Sequence, residues 1–362
     1  MKKICVTGGA GFIASHVVDH LTRTYPDAEI ICVDKMGYPA RREYLYGAFK
    51  TGRVRLIEKS ICDTEAMKLA LKNVDLVVHA AAESHVDNSY LDVSPFIESN
   101  IEGTISMLNA SVHNDVGLFL HVSTDEVYGE SSDRDFTDDE PLNPMNPYAA
   151  SKASAEMFVK SYVSSFGLRA RVSRANNIYG TRQFPEKLIP KLICDARRGE
   201  QFTVHGQGTA IRSFLHVTDY CKALSTIIHH GEDGEIYNVP ALNEYTVMDV
   251  VELVSQAMGI SVSDFVTMGP DRPHNDCRYG VCGKKLLSLG WCPTRSLEQD
   301  LQEMVDWYSD NLHLYYDAKP EEAKRGKVSL LNRTFFRRSN LATAPEEYGF
   351  AEANSLGDFK SR

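Results

Sequence analysis

Residues 7–14 read TGGAGFIA, between an apolar run at Lys3–Thr7 and a helical pattern at Phe12–Thr24. Glycines in a turn from strand to helix let the backbone approach a pyrophosphate, whose charge is favoured at a helix N-terminus. A tight turn without a ligand is the alternative interpretation. Asp34 ends the next apolar run, about 20 residues further on, where a carboxylate meets a ribose 2′-hydroxyl and would repel a 2′-phosphate. The stretch therefore predicts a dinucleotide site that prefers NAD to NADP.

Apolar runs alternate with helical patterns over the first half of the chain. The predicted helices include Phe12–Thr24, Pro95–Asn114 and Tyr148–Phe166. The predicted strands are Lys3–Thr7, Ile30–Asp34, Val54–Lys59, Leu76–Ala80, Phe119–Ser123 and Arg171–Arg174. This alternation predicts βαβ units with right-handed crossovers. The expected fold class is α/β, with a Rossmann-type doubly wound parallel sheet and a smaller α/β substrate-binding lobe. Functional residues should collect at the carboxyl ends of the strands.

The pattern becomes irregular and richer in proline and glycine from about Ala175, as is typical of loops. We therefore predict an NAD-binding domain at 1–174, with segments near 215–240 returning to its sheet. The substrate-binding lobe is predicted at 175–214 and 241–316. Residues 317–362 have mixed charge and no periodicity, which indicates a flexible or surface-draped C-terminal tail. The alternative is an arm that docks on a neighbouring subunit.

Bulk composition excludes some functions. The net charge of −10 argues against nucleic acid as a partner, although local cations could still hold a nucleotide. None of the eight cysteines forms Cys-x-x-Cys, so we expect reduced thiols, no metal site and a cytoplasmic location. The first residues run directly into a predicted strand, which leaves no room for a signal peptide. No apolar stretch approaches the ~18 residues of a membrane span.

Tyr148 and Lys152 are four residues apart, so they share one face of a predicted helix. A tyrosine has an ordinary pKa of about 10, and a nearby ammonium with a positive nicotinamide ring would favour its phenolate. Tyr148 could then accept a hydroxyl proton while NAD accepts the hydride, and Thr124 could hydrogen-bond the same hydroxyl. A half-buried tyrosine beside a solvated lysine is the alternative. The predicted dinucleotide loop favours catalysis.

Asp125 and Glu126 are adjacent and follow Thr124, just beyond the predicted strand Phe119–Ser123. At an irregular strand end, both carboxyls could face one pocket in different environments. Different environments push two pKa values apart, which supplies one acid and one base. A turn cap at Asp125 with a solvated Glu126 is the alternative, and the dipeptide alone favours it. Glu130–Glu140 is predicted to be a solvated acidic loop, with a lid as the alternative.

Several longer motifs resemble one family, and together they cover about residues 1–312. They are GGAGFI at 8–13, AAESHVD at 81–87, STDEVYG at 123–129, NPYAASK at 146–152 and QFPEKLIP at 183–190. They are similar to the NDP-glucose 4,6-dehydratases of the extended short-chain dehydrogenase/reductase superfamily. The glycine loop is shared by the whole superfamily, whereas the Thr-Asp-Glu step and the last motif are specific to these dehydratases.

The resemblance implies a lyase that removes water from dTDP-glucose and so forms dTDP-4-keto-6-deoxyglucose. The alternatives are UDP-glucose as substrate, or a related NAD-dependent epimerase or decarboxylase; a non-catalytic NAD-binding module is the remaining class. Tyr148, with Thr124 and Lys152, would be the base for oxidation at C4. Glu126 would remove the C5 proton, and Asp125 would protonate the departing C6 hydroxyl. Asp125 speaks against the epimerases, because they usually carry a small hydroxylic residue there.

The resemblance also implies binding residues and a homodimer, through helices near Pro95–Asn114 and Tyr148–Phe166. Besides Tyr148 and Lys152, the NAD site would comprise Gly8, Gly11, Phe12, Ile13, Asp34, Lys35, Ile61, Ala80, Ala82 and Ser99. The sugar-nucleotide site would comprise Ser84, Asn177, Lys187, Leu188, His205, Arg212, Asn243, Arg272 and Tyr279. Positions that depart from the family pattern are Ser60, Ile178, His205 and Asn275, and the last three leave the choice between thymidine and uridine open.

Overall fold

The computed structural model describes residues 1–131, 133–270 and 277–316. Arg272, Asn275 and the predicted tail lie outside these residues. The strands are β1 Lys3–Thr7, β2 Glu29–Asp34, β3 Val54–Glu58, β4 Leu76–His79, β5 Leu118–Thr124, β6 Ala170–Ala175, β7 Asn177–Tyr179, β8 Phe202–His205, β9 Ile211–His216, β10 Ile236–Val239, β11 Glu244–Thr246 and β12 Val266–Gly269.

The main sheet is parallel throughout and has the strand order β10-β6-β5-β4-β1-β2-β3. All six predicted strands are present, with their ends moved by no more than one residue. The winding reverses between β1 and β4, which is where a doubly wound sheet opens a crevice for a ligand. The predicted fold class is confirmed, and β10 is the predicted segment that returns to the sheet.

Helices cover both faces of the sheet. They are α1 Phe12–Thr24, α2 Tyr46–Phe49, α3 Thr64–Ala70, α4 Val86–Leu91, α5 Ser94–Phe96, α6 Gly103–His113, α7 Pro147–Phe166, α8 Leu188–Arg197, α9 Val217–His230, α10 Val247–Met258, α11 Val262–Phe265, α12 Lys284–Ser288, α13 Leu297–Asp310 and α14 His313–Tyr316. On one face, Val17 and Leu21 pack with Leu224 in a buried core. On the other face, Met107 and Val159 belong to a second core. Burial on both faces explains why the strands read as continuous apolar runs.

The predicted helix Pro95–Asn114 is interrupted by a π-helical turn at Ile97–Glu102, between α5 and α6. The turn holds Asn100 in the interior, with 1% of its surface exposed. Asn100 Nδ2 donates to Glu83 O at 3.0 Å and to Ser151 Oγ at 2.8 Å. Periodicity predicts a helix here but not this change of register, which is a common feature of functional sites.

The second part of the described chain builds two small sheets, β11-β9-β7 and β12-β8. Its buried core lies between α8, α10 and α13, and includes Leu192, Val254 and Leu301. Residues Met1–Asp317 form one compact unit. The exact limits of the NAD-binding domain and the lobe therefore stay a prediction.

The acidic loop Glu130–Glu140 is more structured than a solvated loop. Phe136 pairs with Val281 as an isolated parallel bridge. Asp138 is buried, and its Oδ1 accepts the backbone N–H of Asn238 on the edge strand β10 at 2.5 Å. The loop thus covers an edge that would otherwise present unpaired N–H groups.

Eight cysteines are free thiols, and burial raises the pKa of Cys5 and Cys221 to about 12. No helix among the described residues is long and apolar enough to span a membrane. Within the same ranges, no group of three or more His, Cys, Asp or Glu side chains is placed to hold a metal ion.

A buried ion pair joins α7 to β6 beneath the end of β5. Arg174 Nη2 lies 2.5 Å from Glu156 Oε2, and each side chain is only 2% exposed. The guanidinium carbon also lies 4.5 Å from the centroid of the Tyr128 ring. Because Arg174 is paired in register with Ser123, the ion pair fixes α7 against the strand end that carries Thr124.

We predict that Glu156→Gln lowers the free energy of unfolding by about 3–5 kcal/mol, because it leaves the Arg174 charge buried without a carboxylate. Urea unfolding followed by circular dichroism measures this change. Glu65→Gln is the matched control, since Glu65 pairs with Lys68 at the surface and its loss costs less than about 1 kcal/mol. Equal effects of the two variants would contradict the prediction.

Candidate active site

The turn after β1 brings backbone close to backbone. Gly8 has φ +69°, and a Cβ there would lie 2.9 Å from Ala81 Cα. A Cβ on Gly9 would lie 2.6 Å from Cys32 Cβ. Gly11 precedes the first residue of α1, so the helix N-terminus faces the mouth of this turn. The glycines thus form a cradle that fits a pyrophosphate, as the sequence predicts.

Asp34 is held rigidly at the end of β2. Its Oδ2 accepts the Ala10 N–H at 3.0 Å, and its Oδ1 accepts the Met36 N–H at 2.8 Å. Burial raises the pKa of this carboxyl, while the two N–H donors oppose that rise. Each oxygen keeps a second lone pair for a ribose hydroxyl.

Other predicted NAD residues surround the same crevice. Lys35 Nζ donates to Glu83 Oε1 at 2.7 Å and to Ser99 Oγ at 3.0 Å. Ala80 N donates to Thr7 Oγ1 at 3.1 Å at the end of β4. The remaining residues are placed along its walls: Phe12 and Ile13 open α1, Ile61 packs against Gly103, and Ala82 is exposed after β4. These residues fit an NAD molecule.

The Thr-Asp-Glu step is where β5 leaves the sheet. Thr124 is the last residue of β5, and Asp125–Tyr128 form a single 3-10 turn. Thr124 Oγ1 lies 3.1 Å from Asp125 Oδ1 and accepts the Glu126 N–H at 3.3 Å. The short turn therefore gathers the hydroxyl and both carboxyls at one point.

Asp125 is 2% exposed. Burial, together with the neighbouring Glu126 charge, raises its pKa from the ordinary 3.8 to about 7. Asn176 Nδ2 donates to Asp125 Oδ2 at 2.8 Å, and this bond with the Arg212 charge limits the rise. A carboxyl with a pKa near 7 can act as a general acid at neutral pH.

Glu126 is held by a residue for which the sequence predicts no role. Asn146 Nδ2 donates to Glu126 Oε2 at 2.9 Å, while Asn146 Oδ1 accepts the Ala149 N–H at 2.8 Å. Asn146 is the N-cap of α7, so one side chain both starts the catalytic helix and orients a carboxylate. An asparagine before Pro147 is a recognisable N-cap signal, although nothing in it indicates the contact with Glu126.

Tyr148 and Lys152 lie on the inner face of α7, and both are buried. Burial and the Glu126 charge raise the Tyr148 pKa well above 10, and the interaction with the Thr124 side chain opposes part of that rise. Lys152 Nζ donates to Val122 O at 2.7 Å, and burial lowers the Lys152 pKa to about 8. A positive charge near the phenol would favour its phenolate, and an oxidised nicotinamide ring would supply one.

Two further asparagines support the site. Asn176 follows β6 and reaches Asp125, and buried Asn100 ties the π-helical turn to Ser151 on α7. The sequence predicts neither contact, because each joins two residues that are far apart along the chain and meet only in the folded protein.

Most of the predicted substrate residues that the structure describes belong to the second part of the chain, and Arg272 lies outside the described residues. Lys187 Nζ donates to Ser84 O at 2.9 Å. The Arg212 guanidinium lies 5.2 Å from the centroid of the Tyr279 ring, and its charge acts on Asp125. The other predicted contacts are placed by the lobe itself: Asn177 opens β7, Leu188 opens α8, His205 Nδ1 lies 3.2 Å from Pro270 O, and Asn243 Nδ2 donates to Tyr245 Oη.

Comparison with known proteins agrees with this arrangement. The family described as GDP-mannose 4,6 dehydratase matches residues 5–304. The dTDP-D-glucose 4,6-dehydratase of Mus musculus is 39% identical over 325 residues, which cover 88% of this chain and 92% of the mouse protein. A trifunctional UDP-glucose 4,6-dehydratase, epimerase and reductase of Arabidopsis thaliana is also 39% identical, over 88% of this chain and 49% of its own length.

A solved structure shows the same fold with a cofactor. The dTDP-glucose 4,6-dehydratase of Streptomyces venezuelae, crystallised with NAD bound, superposes with a TM-score of 0.85 at 36% identity. The match covers 88% of this chain and the whole of that chain. The similarity thus extends over most of the chain and is not limited to the glycine turn.

The Asp125 carboxyl should impose a pH dependence on stability. Because folding raises its pKa from 3.8 to about 7, the free energy of unfolding falls as pH rises through that interval and then levels. Asp125→Asn has no titrating carboxyl at this position, so its free energy of unfolding does not show this fall. We predict that the difference in Tm between variant and parent is near zero below pH 4 and reaches a plateau of several degrees above about pH 7.

Differential scanning calorimetry across this pH range measures the difference. Asp27→Asn, at an exposed position, is the control and should give a flat difference. A difference that shrinks as pH rises would contradict a raised Asp125 pKa.

Proposed function

We infer the function from the family: the chain belongs to the GDP-mannose 4,6 dehydratase family, and we propose that it dehydrates dTDP-glucose to dTDP-4-keto-6-deoxyglucose. The family is NAD-dependent, and structural relatives bind NAD. When bound here, NAD would accept the hydrogen of C4 and return it at C6. One observation carries the proposal: a buried acid, Asp125, adjoins a second carboxyl, Glu126, at the point where Tyr148 meets the strand end.

Oxidation at C4 uses three residues. Tyr148 accepts the proton of the C4 hydroxyl. Thr124, whose side chain interacts with Tyr148, hydrogen-bonds the same C4 hydroxyl. Lys152 adds positive charge from beneath, since its ammonium is anchored on Val122 O. The resulting ketone acidifies the proton on C5, which makes the next step possible for a carboxylate base.

Loss of water uses the two adjacent carboxyls in different roles. Glu126, oriented by Asn146, removes the C5 proton. Asp125 keeps its own proton at neutral pH because of its burial and delivers it to the departing C6 hydroxyl. An epimerase needs no such acid, so the buried Asp125 favours dehydration over the epimerase and decarboxylase alternatives.

UDP-glucose remains the second candidate substrate. The dTDP-glucose and UDP-glucose dehydratases quoted above are equally similar to this chain, at 39% identity. Arg212, with Tyr279 beneath its guanidinium, is proposed to hold the diphosphate that both substrates share. Arg272 is proposed as its partner from the family motif alone.

We also propose that the protein is a homodimer in the cytoplasm. Apolar side chains of the π-helical turn and α7 are exposed, with Ile97 at 42%, Met157 at 48% and Phe158 at 37%. Burial of these side chains against a second copy would remove apolar area from water. The free thiols support a reducing compartment.

The proposed reaction is tested by separate incubation with dTDP-glucose and UDP-glucose, followed by mass spectrometry. We expect a product lighter by one water, formed faster from dTDP-glucose. Asp125→Asn should slow water loss on the order of 100-fold while C4 oxidation continues, and Tyr148→Phe should block both steps. Normal turnover by either variant would contradict the role given to that residue, and faster turnover of UDP-glucose would reverse the substrate assignment.

The proposed dimer is tested by sedimentation velocity. We expect the parent to sediment as a dimer and Phe158→Glu to sediment as a monomer, because a charge would be buried in the apolar contact. Leu69→Glu is the control, since Leu69 is 77% exposed on α3. A monomeric parent, or a dimeric Phe158→Glu variant, would contradict this interface.

A further inference from the structure

The proposed reaction leaves two side chains in the wrong protonation state after each turnover. Tyr148 gains the proton of the C4 hydroxyl, and Asp125 loses its proton to the departing water. Glu126 takes the C5 proton and returns it to C5 when C6 receives its hydrogen. Substrate and products are balanced in protons, so one proton must move from Tyr148 to Asp125 before the next turnover.

Thr124 lies between the two groups that must exchange this proton. Its Oγ1 is 3.1 Å from Asp125 Oδ1, and its side chain also interacts with the Tyr148 hydroxyl, which opposes the rise in the Tyr148 pKa. The three side chains are buried, with exposed fractions of 9% for Tyr148 and Thr124 and 2% for Asp125. Bulk water therefore has poor access, and the hydroxyl is the direct connection.

Asn176 determines which oxygen of Asp125 can receive the proton. Its Oδ1 accepts the Ala241 N–H at 2.8 Å, and its Nδ2 donates to the Tyr279 carbonyl at 3.1 Å. A backbone N–H can only donate and a carbonyl can only accept, so the orientation of the amide is fixed. The remaining N–H must donate to Asp125 Oδ2, at 2.8 Å. Oδ2 is thereby kept as an acceptor, and the acid proton belongs on Oδ1, beside Thr124.

We propose that the Thr124 hydroxyl returns one proton per turnover from Tyr148 to Asp125 Oδ1, and that Asn176 is the positioning residue that directs it there. This inference rests on the proposed dehydration. In the return step the Tyr148 O–H bond breaks as a new O–H bond forms on Thr124 Oγ1. The original Thr124 O–H bond breaks as one forms on Asp125 Oδ1. No electrons are transferred and no co-reactant is needed.

The single hydrogen of Thr124 also links the two chemical steps. While Asp125 is protonated, Oδ1–H can donate to Thr124, whose own hydrogen then points to Tyr148 and favours its phenolate. Once Tyr148 is a phenol and Asp125 a carboxylate, the same hydrogen turns to Oδ1. The Thr124 hydrogen thus stabilises the Tyr148 phenolate before oxidation and the Asp125 carboxylate that water loss produces.

The relay is tested by comparing the first turnover with later ones in rapid-quench experiments. Thr124→Val should slow the first turnover, because Thr124 also assists C4 oxidation, and should slow later turnovers by at least roughly tenfold more, so that a burst of about one product per site remains. Added imidazole should raise the steady rate but not the burst. Thr124→Ser, which keeps the hydroxyl, should show no burst, like the parent. A linear time course for Thr124→Val, with later turnovers as fast as the first, overturns the relay.

The part assigned to Asn176 is tested with Asn176→Asp, which keeps the acceptor for Ala241 N–H and loses the donor to Oδ2. We expect C4 oxidation at the parent rate, water loss slower by on the order of tenfold, and the basic limb of its pH profile shifted upward. Asn73→Asp adds the same charge at an exposed position and should change nothing. Equal slowing of both steps, or of neither, overturns this assignment. Failure of the parent to lose water would instead refute the proposed function.

Discussion

The parallel pairing of β5 with β6 is the constraint on which the site depends. Thr124 is in register with Ala175 at the carboxyl ends of these strands. The residues that follow, Asp125 and Asn176, must therefore leave the sheet side by side, and their side chains meet at 2.8 Å. One ladder of backbone hydrogen bonds thus places the Asp125 carboxyl, the Asn176 amide that donates to it and the Thr124 hydroxyl next to one another.

Burial then gives the gathered groups different properties. Asp125 is almost fully buried and adjoins the Glu126 charge, which together raise its pKa to about 7, so its protonated form is populated at neutral pH. Glu126 lies further out and receives an N–H from Asn146, which suits a base. The same burial raises the pKa of Tyr148, and a positively charged ligand nearby would oppose that rise. The buried pair Arg174–Glu156 supports this geometry from below.

Much of the fold could be predicted, because each strand is a continuous apolar run and α1 starts at a glycine turn. The five catalytic candidates were also predictable, since they lie in two short motifs that the strand order brings together. The contacts of Asn146, Asn176 and Asn100 were not, because they join segments between 17 and 103 residues apart. The π-helical turn was missed for another reason: its apolar pattern is that of an ordinary helix, and the buried contacts of Asn100 at the turn are with residues distant along the chain.

In this account the enzyme first oxidises C4, and Asp125 and Glu126, an acid and a base at one strand end, then bring about the loss of water. It is tested most directly with a sugar nucleotide carrying deuterium at C4, with the label located in the product by NMR. The account predicts deuterium in the C6 methyl group of the same molecule, with one water lost. Recovery of the label at C4 of an otherwise intact sugar would contradict it, because that outcome is epimerisation.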